Sequence, residues 1–389
     1  MLYEETHQWL SFAYNPRVNT LWARLGEAFS KNQHLAGIPL PPRLAAELAS
    51  VVLTKGALAT AAIEGNTLSL EEANHILHEG KELPPSQEYL ETEIKNVMGA
   101  LRAVDESGRS GQSFLLSPEW LKEQNAKILD GLEVDDHVVP GEYTTKTLLV
   151  GSVYRGAPPA EVPYLVERMC SWLNESFIKP SQDPDTPADM RFYNAVFAAV
   201  LAHLYLVWIH PFGDGNGRTA RLAEVAVLAH SGVVPWLASN LLSDHYNRTR
   251  SAYYRRLDAA SKKNDIDGFL KYAIDGYVDM LREQIEAVKG HQMRAAWINY
   301  VHEVLHDEPS GTARDRRREL VLAMPTSDPV SRKEIRRLTP ILTELYAGHE
   351  DRIIARDLNA LDKLGLVERL GGGYIARAHI MNAFLPLHG

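Results

Sequence analysis

Apolar side chains return at helical spacing along most of the chain. Leu44, Leu48, Val51, Val52 and Leu58 recur in that way, which predicts a helix opening at Pro42 and running to about Ile63. Gly65-Asn66 supplies its stop. Ser69, with Glu72 three residues on, is a helix start, and residues 67–130 read as mainly helical. A loop is expected at 108–113, and another helix from Pro118 to about Leu132. Residues 141–151 change period: Tyr143, Thr144, Thr145, Thr147 and Val150 are β-formers between glycines and predict a strand or short hairpin. A helix follows Pro158-Pro159 to about Glu175, then a polar loop at 180–187. Residues 195–209 are apolar on every side apart from His203, which predicts a buried helix. That run is shorter than the roughly 20 residues a membrane span needs. A second apolar segment, 222–229, leads out of the stretch that follows, and helices continue to about His306.

The tail reads as a separate unit. Residues 307–315 form a polar linker, and 331–338 a short helix. Residues 351–364 form a longer one with Ile354, Leu358, Leu361 and Leu364 on one face. Two strands, 366–370 and 373–377, flank glycines 371–373.

A length of 389 residues predicts two or three domains. The net charge of −9 argues against nonspecific nucleic-acid binding by the whole chain. From His291 onward, however, 14 basic side chains face 13 acidic ones, so the acidity lies in the first part. The single cysteine, Cys170, excludes an internal disulfide and sits in the apolar pattern Val166, Met169, Leu173, which makes it a core residue. The N-terminus has no basic region followed by an apolar core, so no secretory signal is read and a cytoplasmic location is expected.

Candidate chemistry gathers between the two apolar segments, in Ile209-His210-Pro211-Phe212-Gly213-Asp214-Gly215-Asn216-Gly217-Arg218-Thr219-Ala220-Arg221. Three glycines let the backbone turn tightly before a helix that should begin near Gly217, and free N–H groups at a helix start make an anion site. Arg218 and Arg221 share a face of the first turn and suit a polyphosphate. Asp214 is a hard oxygen ligand of the kind Mg²⁺ takes beside substrate phosphates. His210, at the other end of the turn, has the titration range of a general base. Phe212 reads as a buried anchor for the loop.

This stretch resembles the signature of the Fic family, His-x-Phe-x-Asp/Glu-Gly-Asn-Gly-Arg-x-x-Arg, matched by His210, Phe212, Asp214, Gly215, Asn216, Gly217, Arg218 and Arg221. The resemblance implies a mainly α fold: a helical bundle with a small β-hairpin flap. It implies transfer of AMP from ATP, with Mg²⁺, to a Ser, Thr or Tyr hydroxyl of a target protein. In that scheme His210 deprotonates the hydroxyl and Asp214 holds the metal. ATP binding falls to Gly215, Asn216, Gly217, Arg218, Thr219, Ala220 and Arg221, with Tyr253 near the adenine. Thr60, Glu64, Gly65 and Asn66 resemble the family's inhibitory motif, whose glutamate pairs with the second signature arginine, here Arg221. Thr147, Leu148, Leu149 and Val150 correspond to the flap's target-binding edge, and Thr144 stands where the family often has arginine.

The tail resembles a winged helix, a module appended to some Fic proteins. The organisation expected is therefore an N-terminal helical region with the inhibitory helix (1–95), a Fic core (96–290), and a linker helix with a winged-helix-like domain (291–389). Removal of AMP by the same site is the second reading, and an ATP-sensing DNA-binding regulator the third. For the tail, protein contact or support of a homodimer is favoured over DNA, because Asp351, Asp357 and Asp362 share the helix that carries Arg352 and Arg356. No membrane partner is expected.

Overall fold

The structure, a computed structural model, describes residues 1–16, 19–150 and 154–382. It divides into two compact units, Met1–Ile285 and Glu286–Gly389. In the first unit, helices α1 (Asn19–Ala36), α2 (Pro42–Glu64), α3 (Glu88–Arg109), α4 (Pro118–Leu129) and α5 (Val162–Leu173) gather around α6 (Ala188–Ile209) and α7 (Asn216–Ala229). Then come α8 (Leu242–Arg248), α9 (Arg250–Lys262) and α10 (Ile266–His306), the last of which runs on into the second unit.

Helix α6 is the axis of the first unit. From Ala195 to Leu206 every side chain is buried, because the helix is apolar all round and is covered by α1, α5 and α7. It is 22 residues long, more than the expected run, because a polar first turn with Asp189 and Arg191 extends it backward. By length and composition α2 and α6 could each cross a membrane, but α6 turns its apolar surface onto other helices. Cys170 is buried on α5 facing that core, and burial pushes its thiol well above the ordinary range.

Two expected boundaries of secondary-structure elements fall elsewhere. Helix α3 runs on through Gly108 to Arg109, where the sequence predicts a loop, because its buried face, Ile94, Val97, Leu101 and Val104, holds it against the weak propensity of glycine. The same helix passes straight through position 95, the expected domain boundary. Helices α2 and α3 pack on α7, so the N-terminal region and the signature helix lie in one unit. The hairpin read at 141–151 is shorter and later: β1 (Leu149–Val150) pairs antiparallel with β2 (Tyr154–Arg155). Gly151, the end of the expected strand, lies outside the described residues.

The second unit has its own core, built from Trp297, Val301 and Leu305 of α10 and from α11 (Thr312–Ala323), α12 (Pro340–Leu345) and α13 (Asp351–Lys363). The hairpin of β3 (Val367–Leu370) and β4 (Gly373–Ala376) closes it. Val330 bridges to Tyr374 on the outer side of β4.

Candidate active site

Pro211 ends α6, since proline drives the residue before it out of the right-handed helical region. That residue, His210, takes the left-handed conformation at φ 53°, ψ 59°. A non-glycine residue held there costs on the order of 1–3 kcal/mol. The bend turns the imidazole off the helix axis and into a cavity of about 650 Å³, a volume suited to a nucleotide. Nδ1 lies 3.3 Å from the Val207 carbonyl. A carbonyl only accepts, so Nδ1 carries the proton and Nε2 keeps its lone pair. Burial lowers the pKa of His210, outweighing the opposing pull of the Val207 carbonyl, Glu64 and Asp214. The ring is therefore neutral, as a base must be.

The loop between α6 and α7 is held by its own residues. The Asn216 side chain accepts from the Phe212 N–H at 2.9 Å and donates to the Phe212 carbonyl at 2.7 Å. That amide is thus committed to the loop, and only the main chain of Asn216 is available to a ligand. Phe212 is buried and bridges to Tyr143, so the expected anchor is in place. The Thr144 N–H donates to the Pro211 carbonyl at 2.8 Å. The segment leading to the hairpin is therefore tied to the signature loop through main chain, without the arginine that Thr144 replaces. Of the flap residues, Thr147 and Leu149 are exposed, while the Leu148 carbonyl accepts from Gly156 N–H at 3.0 Å.

Gly215 caps α7 at φ 76°, where an L side chain would be strained and would meet the Asn125 amide. At Gly217 a Cβ would lie 2.3 Å from the Glu64 carboxylate and 3.1 Å from the Arg221 guanidinium. The carboxylate that ends α2 thus lies across the first turn of α7, against the positive end of its dipole. It accepts from Arg221 Nη2 at 2.6 Å, and the same nitrogen donates to the Thr60 carbonyl at 3.0 Å. Thr60 therefore takes part through its main chain. Burial raises the Glu64 pKa, but Arg221 more than offsets it, and Arg218 and His210 add to the pull, so the carboxyl lies below its ordinary value.

Arg218 departs from its expected place. Its guanidinium is buried away from the cavity and donates to Glu93 at 2.6 Å and to Asp214 Oδ1 at 3.1 Å. The second Glu93 oxygen accepts from Asn66 at 3.0 Å. A polar chain thus runs from the end of α2, through Asn66 and Glu93, to Arg218 and Asp214. Sequence reading missed Glu93, whose only signal is a carboxylate on the buried stripe of α3. Glu93→Ala leaves Arg218 with Asp214 alone. Breaking a buried pair costs about 3–5 kcal/mol, and the retained partner sets the expected loss near the low end. Thermal unfolding checks this, and an unchanged midpoint would show that the pair adds nothing.

Thr219 and Ala220 do not face the cavity. The Thr219 N–H is used by the Gly215 carbonyl at 2.9 Å, its hydroxyl accepts from Asn125, and both side chains are fully buried in the helix packing. Being inside the first turn rather than ahead of it removes their N–H groups from the anion site. Tyr253 lines the cavity, but its ring is buried, stacked on Tyr246 at 4.9 Å, and its hydroxyl bonds His203 at 2.8 Å. Tyr254, also lining the cavity and 47% exposed, presents the accessible ring. The apolar–polar pattern of α9 does not tell these neighbours apart.

Asp214 is the half-exposed carboxylate of the loop, at 48%. Its Oδ1 takes the Gly215 N–H and Arg218, leaving Oδ2 outside both bonds. Among the described residues no group of three or more His, Cys, Asp or Glu gathers into a metal site. A single carboxylate fits Mg²⁺, which completes its octahedron with phosphates and water.

Residues 115–228 match the model of the Fic/DOC family. This stretch is a Fic/DOC domain. Protein adenylyltransferase fic-1 of Caenorhabditis briggsae is 30% identical over 230 residues, 59% of this chain and 41% of the relative. Protein adenylyltransferase fic-1 of Caenorhabditis elegans matches at 30% over 233 residues, with the same shares. Protein adenylyltransferase Fic of Aedes aegypti is 27% identical over 213 residues, 55% of this chain and 38% of the relative. The chain thus matches about two fifths of the length of these curated relatives. A Fic family protein from Desulfovibrio desulfuricans shares the fold with a TM-score of 0.55 at 20% identity, over 94% of this chain and 97% of that one. A Fic domain containing signaling protein from Bacteroides thetaiotaomicron aligns at 0.53 and 23%, over 69% and 97%. Glu64 and Glu93 lie outside the Fic/DOC match and reach its loop only in three dimensions.

Proposed function

We propose that the Fic/DOC domain transfers AMP from ATP to a hydroxyl of a target protein, and that Glu64 holds it in an inhibited state. One observation carries this: a carboxylate bound by Arg221 lies on the anion-binding turn of α7, in the same cavity as a neutral histidine. Glu64 takes the place of a phosphate group, and only glycine at 217 leaves room for either.

With Glu64 withdrawn, Arg221 and the N–H groups at the start of α7 receive the phosphates, and the Tyr254 ring offers a face for the base. Asp214 would hold Mg²⁺, which when bound neutralises charge on the phosphates. An acceptor strand laid along Leu149 by main-chain pairing would bring its side chain toward His210. His210 Nε2 takes the proton of the target hydroxyl as that oxygen forms its bond to the α-phosphorus. The bond from the α-phosphorus to the bridging oxygen breaks, and pyrophosphate leaves. Main-chain pairing fixes the position of the strand and leaves its sequence free, so the fold favours a class of target, a segment able to extend.

The test uses the Glu64→Gly variant with ATP labelled at either the α- or the γ-phosphate. Label should reach protein from the α position alone. Transfer from γ, or from neither, would overturn the reading.

A second reading has its own support, since Glu64 and His210 line one cavity and interact electrostatically. A carboxylate beside the base can orient water against an AMP-modified side chain. In that case wild type, but not Glu64→Gly, releases AMP from the modified target.

A further inference from the structure

We propose that residues 2–12 brace the β1–β2 hairpin from behind, with His7 as a positioning residue that sets the edge offered to an acceptor strand. That an acceptor strand lies there rests on the transfer reading above. A two-stranded hairpin is marginal in water by itself, and a strand added to its edge inherits whatever register the edge has. The hairpin therefore needs support on the side that β1 does not cover. The Gly156 N–H donates to the Leu148 carbonyl at 3.0 Å, on the β1 side. The Arg155 carbonyl belongs to the same trans peptide unit, so it points the opposite way. There it accepts from His7 Nε2 at 2.9 Å. A carbonyl only accepts, so Nε2 carries a proton in either charge state of the ring. One residue on, the Ala157 N–H donates to the Ile209 carbonyl at 3.1 Å. The backing strand is thus held between His7 and the end of α6.

Three rings carry this support to the cavity wall. Trp9 lies 5.0 Å from His7 and 6.1 Å from Tyr154, and His7 meets Tyr154 edge-on at 6.3 Å. The Tyr154 hydroxyl donates to the Trp208 carbonyl at 2.6 Å, and the residue lines the cavity that holds His210. The brace is itself fastened at both ends. The Glu161 carboxylate accepts from the N–H groups of Leu2 and Tyr3, each at 2.8 Å, at the start of the helical turn Leu2–Thr6. Arg168 of α5 donates to the Tyr3 hydroxyl at 3.2 Å. Phe12 is buried and packs on Tyr205 of α6 at 5.5 Å. His7, buried between these anchors, grips main chain rather than a side chain. It therefore acts on the hairpin whatever residue stands at 155, in the same way that the free edge of β1 would act on its target.

The experiment compares His7→Leu, which keeps bulk and loses the donor, with His7→Gln, whose amide keeps a donor at a similar reach. Both are made in the full chain carrying Glu64→Gly. The first readout is hydrogen exchange, which needs no acceptor. His7→Leu should speed exchange of the Gly156 amide and the hairpin around it roughly three- to tenfold, the weight of one hydrogen bond. Amides of α7 should exchange as in the parent, and His7→Gln should bring the hairpin back. The second readout uses ATP labelled at the α-phosphate and a pool of synthetic peptides, each with one serine, threonine or tyrosine between random flanks. His7→Leu should raise the KM for peptide by a similar factor and leave the KM for ATP in place, whereas a general loss of folding would move both. Should His7→Leu fold poorly, His7→Ala takes its place in both readouts. Unchanged exchange in the hairpin overturns the proposal. So does faster exchange with an unmoved peptide KM, or without rescue by His7→Gln. A parent that labels no peptide counts against AMP transfer instead, and exchange then decides the brace alone.

Discussion

Replacing Glu64 by glycine is expected to raise AMP transfer roughly ten- to hundredfold. The carboxylate and the phosphate compete for one guanidinium, and Arg221 is buried, so it cannot serve both. A hydrogen bond to a charged group contributes about 1.5–3 kcal/mol, and each 1.4 kcal/mol is a factor of ten in binding. Removing Glu64 leaves Arg221 its bond to the Thr60 carbonyl, so the guanidinium stays where the phosphates need it. Glycine at 64 also lets the last turn of α2 relax without a new clash. The measurement is label transferred per unit time at fixed ATP, for wild type and variant. Equal rates would mean that the Glu64–Arg221 pair does not limit turnover. Acid should not mimic the variant. The Glu64 carboxyl lies below its ordinary value, so it stays ionised, and paired, as pH falls to about 5. Wild type should therefore remain slow across that range.

The second large effect is the loss of transfer in His210→Ala, by a factor of about 10²–10⁴, the usual contribution of a positioned base. The variant is best made in the Glu64→Gly background, where there is activity to lose. A retained rate would place the proton elsewhere. The pH profile adds an independent reading. Burial holds the folded pKa of His210 below its ordinary 6.5, so the base should stay competent as pH drops through 6.5 and fail only below it. The sign for stability is the same. The unfolded chain takes up a proton near pH 6.5 that the folded one resists, so the contribution of His210 is complete above 6.5 and is lost as pH falls through the lowered value. ATP binding, measured by calorimetry, should change little in His210→Ala, since the imidazole makes no planned contact with phosphate.

Much of this was legible in the chain before folding. Pro211 after an apolar run, glycine at 215 and 217 and two arginines on one turn determine by themselves where α6 stops, where α7 starts and what charge its first turn attracts. These are local matters, decided by the φ of proline, the missing side chain of glycine and a 3.6-residue period. The Glu64–Arg221 contact, spanning 157 residues, was reached through family resemblance, since no period in the sequence links the two.

Other assignments depended on packing alone. That Arg221 faces the cavity while Arg218 turns inward to Glu93 follows from α3 lying behind α7, and Glu93 has no signature of its own. The choice between Tyr253 and Tyr254 depends on which side of α9 meets His203 and Tyr246. In the tail, the sum of charges could be counted from the sequence, but the inward turn of Asp357 could not, because a charge disappears from a surface only when a folded neighbour covers and pairs it. The sequence by itself thus determined the kind of chemistry at the turn. Only the tertiary structure decided which side chains reach it, because the contacts that select them join residues far apart in the chain.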